Sequence, residues 1–115
     1  MPKDSSLEDA LAALRREFAD TLPARLDVLR AALNRLRQGV TPDGLKAFHL
    51  PAHALQGTAG SYEAHELVPH AARLSKLARR WIDAGAAPGT ELEEAARELD
   101  ALEKAMERFR RRLVE

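Results

Sequence analysis

Cysteine is absent from this chain, which removes disulfides, thiolate metal sites and cysteine nucleophiles together and leaves no redox argument for a compartment. Net charge is absent too: 18 acidic and 18 basic residues balance, so no overall field steers the protein onto nucleic acid or anionic lipid. Neither is expected as a partner. Aromatic residues make up only 4% against 45% apolar residues in all, so the apolar content is carried mainly by Leu and Ala, both strong helix formers. No apolar run approaches a membrane span, and Met1-Pro-Lys-Asp-Ser-Ser-Leu-Glu-Asp9 has no signal-peptide core. A cytoplasmic location is expected. With 115 residues, the chain fits one domain able to bury a core without metal or disulfide support.

What is present is helical periodicity. Ser5 or Ser6, followed three residues on by Glu8 or Asp9, has the form of a capping box, and Leu7, Leu11, Leu14 and Phe18 then recur at helical spacing. This predicts a short first helix over about Leu7 to Ala19. Thr21 and Pro23 fit the entrance of a second helix, with Leu22, Leu26, Leu29, Leu33 and Leu36 as its stripe and Gly39 as its end. Thr41-Pro42 is a cap with a first-turn proline, opening a third helix in which Pro51 predicts a kink near Leu50 or a restart there.

A fourth helix is expected through Leu67, Ala71, Leu74, Leu77 and Trp81, with Pro69 near its first turn and Asp83 to Gly89 as the loop after it. Thr90 and Glu93 suggest a second capping box, before a last helix that keeps Leu92, Ala95, Leu99, Leu102, Met106, Phe109 and Leu113 on one face. The expected fold is all-α: an antiparallel up-and-down four-helix bundle over residues 1–115, with the short additional N-terminal helix across one end. Stripes of this kind also suit an intermolecular coiled coil, but clear breaks between them favour folding back within one chain, and a monomer is expected.

The segment His53-Ala-Leu-Gln-Gly-Thr-Ala-Gly-Ser-Tyr62 carries the chemistry. At 100° per residue, Phe48, Ala52, Leu55, Ala59 and Tyr62 share an inward arc, while His49, His53, Gln56, Gly57 and Gly60 cluster about 120° away. His53 therefore faces solvent. A glycine inside a helix costs about 1 kcal/mol relative to Ala, so two beside one exposed imidazole mark a clearing. An imidazole near its ordinary pKa keeps a lone pair for nucleophilic attack, whereas a hydrolytic triad needs further partners, and no Gly-x-Ser-x-Gly elbow is present. Such an imidazole can accept a phosphoryl group from an acyl phosphate. Gly57 leaves room for that group, and Gln56 offers it an amide N–H.

These residues, His53-x-Leu55-x-Gly57-Thr-Ala-Gly60 with Leu67 and a leucine-spaced helix beyond, resemble the histidine-containing phosphotransfer (HPt) domains of multistep two-component relays. The resemblance extends over nearly the whole chain. It implies a four-helix bundle with His53 as phospho-acceptor, Gly57 as its small neighbour, and Gln56 at a position that is often Lys, which keeps a donor and loses a charge. It also places Glu63 where the family usually has Gly, implying a changed turn. The implied role is that of a phosphoryl carrier, not an enzyme, passing the group between receiver domains of a hybrid histidine kinase or response regulators. No cofactor is expected on this chain, since Mg²⁺ and the acidic residues would come from the receiver. His49, Leu50, Ala54 and Gly60 would border the docking surface.

Other readings compete. One is an HPt-like module that docks receivers or other signalling partners without being phosphorylated. His49 and His53 have the i, i+4 spacing of a metal pair, but Leu50 stands where His-Glu-x-x-His needs Glu. A metal-dependent bundle enzyme would need a Glu-x-x-His motif that is missing. His65 and His70 read as a helix-terminus residue and a packing residue. Arg79-Arg80 and Arg108, Arg110, Arg111 and Arg112 read as solvated cations near helix C-termini.

Overall fold

The computed structural model describes residues 2–114, with side chains from residue 6 onward. Four α-helices and no strands are found among the described residues: α1 (Pro2–Gln38), α2 (Pro42–Ser61), α3 (Val68–Ala84) and α4 (Gly89–Val114). Each helix packs on its successor, and α4 closes the ring against α1. Cross-helix pairs fix the directions. Arg30 reaches Asp100 and Glu103 while Arg37 reaches Glu93, so α1 and α4 run oppositely. Phe18 of α1 stacks on Tyr62, just beyond the end of α2, and Phe48 of α2 meets Trp81 of α3.

From Phe18 onward the predicted stripes bury together in one intramolecular core, with Leu22, Leu29, Phe48, Leu74, Trp81, Leu99 and Phe109 at its most enclosed positions, whereas Leu7, Leu11 and Leu14, expected on the same stripe as Phe18, are exposed where α1 runs past the other helices. At roughly 25 cal/mol per Å², burial of the core side chains supplies the main drive for association of the helices.

The expected short N-terminal helix is not a separate element. Residues 2–38 form one helix, Ser6 and Thr21 lie inside it, and the Ser5 side chain lies outside the described residues. Pro23 is internal but exposed, on the side away from the core. The buried stripe Phe18, Leu22, Leu26, Leu29, Leu33 and Leu36 passes beneath it without a phase change, and this packing outweighs an interior proline's cost of about 3 kcal/mol. Thr21 does not cap. Its hydroxyl donates to the Phe18 carbonyl at 2.7 Å and accepts from Arg25 Nε at 2.8 Å.

At the start of α2 the expectation holds: Thr41 is the N-cap, accepting from the Gly44 N–H at 2.9 Å, with Pro42 in the first turn. The restart expected at Pro51 does not occur, because α2 is helical on both sides of it. Ala52 and Leu55, next along the core face, stay buried. Pro69 lies in the first turn of α3, and Gly85 closes that helix in the left-handed conformation at φ 65°. Thr90 is already within α4. The Pro88 carbonyl accepts the first N–H bonds, from Glu91 and Leu92, and thereby takes the place assigned to the Thr90 capping box.

In the turn between α2 and α3, Glu63 takes the backbone conformation that favours glycine, left-handed at φ 57°. The Glu63 N–H donates to the Gly60 carbonyl at 3.2 Å and the Ala64 N–H to the Ala59 carbonyl at 2.8 Å, a Schellman closure of α2. Arg112 of α4 secures the turn from outside. It forks onto Glu66 at 2.7 and 2.9 Å and donates to the Glu63 carbonyl at 2.9 Å, so it is a structural clip and not a free terminal cation.

Candidate functional site

Midway along α2 the chain presents an imidazole to solvent because the core face is fully committed elsewhere. Phe48, Ala52, Leu55 and Ala59 are buried, which turns His53, Ala54, Gly57 and Gly60 outward. His49 and Gln56 lie between these two faces and are half-buried. Both lean toward α3, where an open groove of about 350 Å³ is lined by His49, His53 and Gln56 of α2 and by Ala72, Ser75, Lys76 and Arg79 of α3. The His49 and His53 rings stack with centroids 5.6 Å apart and planes 21° from parallel.

The charge of this groove is one-sided. Lys76 and Arg79 face the two imidazoles, and no carboxylate is among the lining residues. Asp83, one turn beyond, reaches Arg79 Nε at 3.7 Å, an exposed contact that leaves the guanidinium's charge only loosely shared. Burial holds the His49 imidazole below its ordinary pKa, and the neighbouring His53 and Arg79 push it the same way. The groove thus presents fixed cations and a second imidazole biased toward its neutral form beside the exposed ring of His53, an arrangement suited to an oxyanion. Divalent metal would be repelled by the same cations. Among the described residues, no three His, Asp or Glu side chains converge as metal ligands.

The glycines have no role in packing the chain on itself. A methyl group added at Gly57 or Gly60 would meet nothing within 4 Å. Any need for a bare backbone there comes from outside the molecule. Leu50 is 64% exposed, and with Ala54 it continues the surface away from α3, beside the histidine. The predicted residues His49, Leu50, His53, Ala54, Gln56, Gly57 and Gly60 therefore occupy one side of α2. His65 is exposed in the turn, and His70 pairs with Glu98 of α4; neither lines the groove.

A comparison with protein families decides what kind of domain this is: the model of the Hpt domain matches residues 13–112. The chain belongs to the Hpt domain family. No significant match is found among curated proteins or among solved structures. Hpt domains are histidine phosphotransfer modules of two-component signalling, carriers of a phosphoryl group in place of catalysts, and they interact with receiver domains and kinases. No helix of this Hpt domain, among the described residues, is long and apolar enough to cross a membrane.

The α3 half of the groove carries no local mark in the sequence: Arg79 reads there as a solvated terminal cation, and Ser75 and Lys76 belong to no motif. A signal was available in the register of the Hpt domain's central hairpin. His53 and Ser75 stand equally far from Ala64 in the turn, so antiparallel packing brings 53 against 75 and 76, and 49 against 79. The tightness of the turn, set by Glu63, is what makes that counting possible.

Proposed function

We propose that residues 1–115 form one up-and-down antiparallel Hpt bundle, acting as a carrier in a cytoplasmic phosphorelay with His53 as phospho-acceptor. The observation that supports this reading is the exposed His53 imidazole in a groove bounded by Lys76 and Arg79 and free of lining carboxylates. The neutral ring attacks the phosphorus of a receiver's aspartyl phosphate. A nitrogen–phosphorus bond forms, the phosphorus–oxygen bond to the carboxylate breaks, and the electron pair stays on the receiver's aspartate. The ring then loses its remaining N–H proton to solvent. Mg²⁺ and the acidic residues that hold it belong to the receiver, and the chain itself uses no cofactor.

Gln56 offers its amide N–H to a phosphoryl oxygen, while the charge missing at that position is supplied from the facing helix by Lys76 and Arg79. This substitution across the groove weighs against the alternative of a docking module that is never phosphorylated. Leu50 and Ala54 provide the apolar margin of a transient interface, His49 and Gly60 its edges, and Gly57 the clearance for the partner's loops.

The test is to mix the protein with a phosphorylated receiver domain and assay for acid-labile, alkali-stable phosphate. Transfer to the native chain and none to His53→Gln is expected. Transfer that survives the substitution, or no transfer from any receiver of the same organism, would refute the proposal.

A further inference from the structure

The stacked pair on α2 has a second imidazole, His49, whose place at the edge of the docking surface makes no use of its ability to titrate. We propose that His49 takes up a proton when His53 is phosphorylated and, as a cation one helical turn away, binds the phosphoryl group. The inference rests on the reading of His53 as phospho-acceptor.

The geometry places His49 where it can act. Its ring lies 5.6 Å from that of His53, nearly parallel to it, and both line the same groove. The charged and titratable groups facing His49 are His53 on its own helix and Lys76 and Arg79 on α3, with Asp83 behind Arg79. In the free protein every near neighbour in the lining is neutral or positive, and burial adds to the bias, so His49 is held in its neutral form.

Phosphorylation of His53 reverses that environment, since the ring then carries a group of nearly two negative charges. An opposite charge within about 4–6 Å raises the pKa of a cationic acid by about 1–3 units. His49 is the side chain of the pair able to respond, because Lys76 and Arg79 are charged before and after the event. The chain lacks a lysine at position 56, and His49 supplies a positive charge that is present only when the phosphoryl group is. The free site, with one fewer cation, repels less strongly the positive groups a receiver brings with its metal.

The sign of the pH effect follows. The stabilisation is full below the depressed value of His49 in the free protein, where the ring is protonated in both forms, and is lost as pH rises through its raised value in the phosphorylated protein. Lowering the pH from about 8 to 6 therefore favours phospho-His53 through this residue.

The experiment uses the full chain and phosphoramidate, a small phosphoryl donor, so that no receiver is needed. NMR first locates the phosphate. Its absence from His53 would sink the phosphotransfer reading itself, and its presence on His49 instead would sink both. With His53 phosphorylated, the His49 ring is titrated and compared with the free protein. A rise of about 1–2 units is expected, and an unchanged or lower value overturns the inference. Two variants separate charge from packing. His49→Phe keeps a stacked ring and should flatten the pH dependence of phospho-His53 accumulation, lowering it severalfold at pH 6.5. His49→Lys should restore accumulation at all pH values. A Phe variant indistinguishable from the native protein, or a Lys variant as poor as Phe, would also overturn the inference.

Discussion

Glu63 and Gly57 are the two residues at which side-chain chemistry and backbone demand part company. Glu63 holds a left-handed backbone at φ 57°, which costs a non-glycine residue roughly 1–2 kcal/mol. Its side chain pairs with Arg15 at 3.1 Å, but the carboxylate is 61% exposed, and an exposed pair returns at most about 1 kcal/mol. Glu63→Gly is therefore expected to raise stability by up to about 1 kcal/mol, read as a higher midpoint in urea unfolding. Gly57 behaves in the opposite sense. With nothing within 4 Å of an added methyl, Gly57→Ala should stabilise α2 by up to about 1 kcal/mol. The same substitution should slow phosphoryl transfer from a receiver, because the methyl occupies space the partner needs. Unchanged transfer kinetics alongside raised stability would assign Gly57 no part in docking.

The core stripes from Phe18 onward and the end of α1 at Gly39 could be read from the sequence, whereas the length of α1 could not, and helix starts could be read only where a cap used its own side chain. Thr41 did so, and the start of α2 was found. Thr21 and Thr90 looked equally capable, yet Thr21 bonds back to Phe18 inside α1 and Thr90 follows an N-terminus already served by the Pro88 carbonyl. Local capping signals lost to a core stripe whose phase never breaks. Pro23 is the clearest case. It imposes the ordinary penalty of a missing N–H within a helix held by Leu22 and Leu26, both buried. Pro23→Ala should restore the bond to the Ala19 carbonyl and stabilise the protein by about 1–3 kcal/mol, the stiffness of proline in the unfolded chain offsetting part of the gain. Thermal unfolding would show it. A destabilised variant would mean that α1 depends on the proline's shape. The candidate site was legible to the extent that it lies on a single helix. The residues on α2 follow from the 100° step, while Ser75, Lys76 and Arg79 depend on how a second helix is laid beside it.

At the scale of the whole molecule, the ring of helices is fastened near one end by Arg112, which joins the last turns of α4 to the α2–α3 turn. Its hydrogen bonds hold the Glu66 carboxyl below the usual carboxylate range, against an opposing push from burial. A depressed folded value contributes stability that is present above the unfolded carboxylate range and is lost as pH falls through the folded value. Arg112→Gln should thus cost stability at pH 7, by about 1–2 kcal/mol for a partly exposed fork, and the deficit should shrink as pH falls through the folded value of Glu66, down to the part carried by the bond to the Glu63 carbonyl. Urea unfolding at stepped pH would measure it, and a deficit independent of pH would assign Arg112 a packing role alone. The shape of the molecule has a different consequence. The 37 residues of α1, at about 1.5 Å each, account for the long dimension of 55 × 21 × 19 Å, and the other helices lie alongside it. Nearly every amide bond vector is therefore parallel to one axis, about which the molecule spins fast while it tumbles end over end slowly. Helical amides should relax as though they belonged to a larger protein, and a receiver docking broadside on α2 and α3 would slow the spin far more than the tumble.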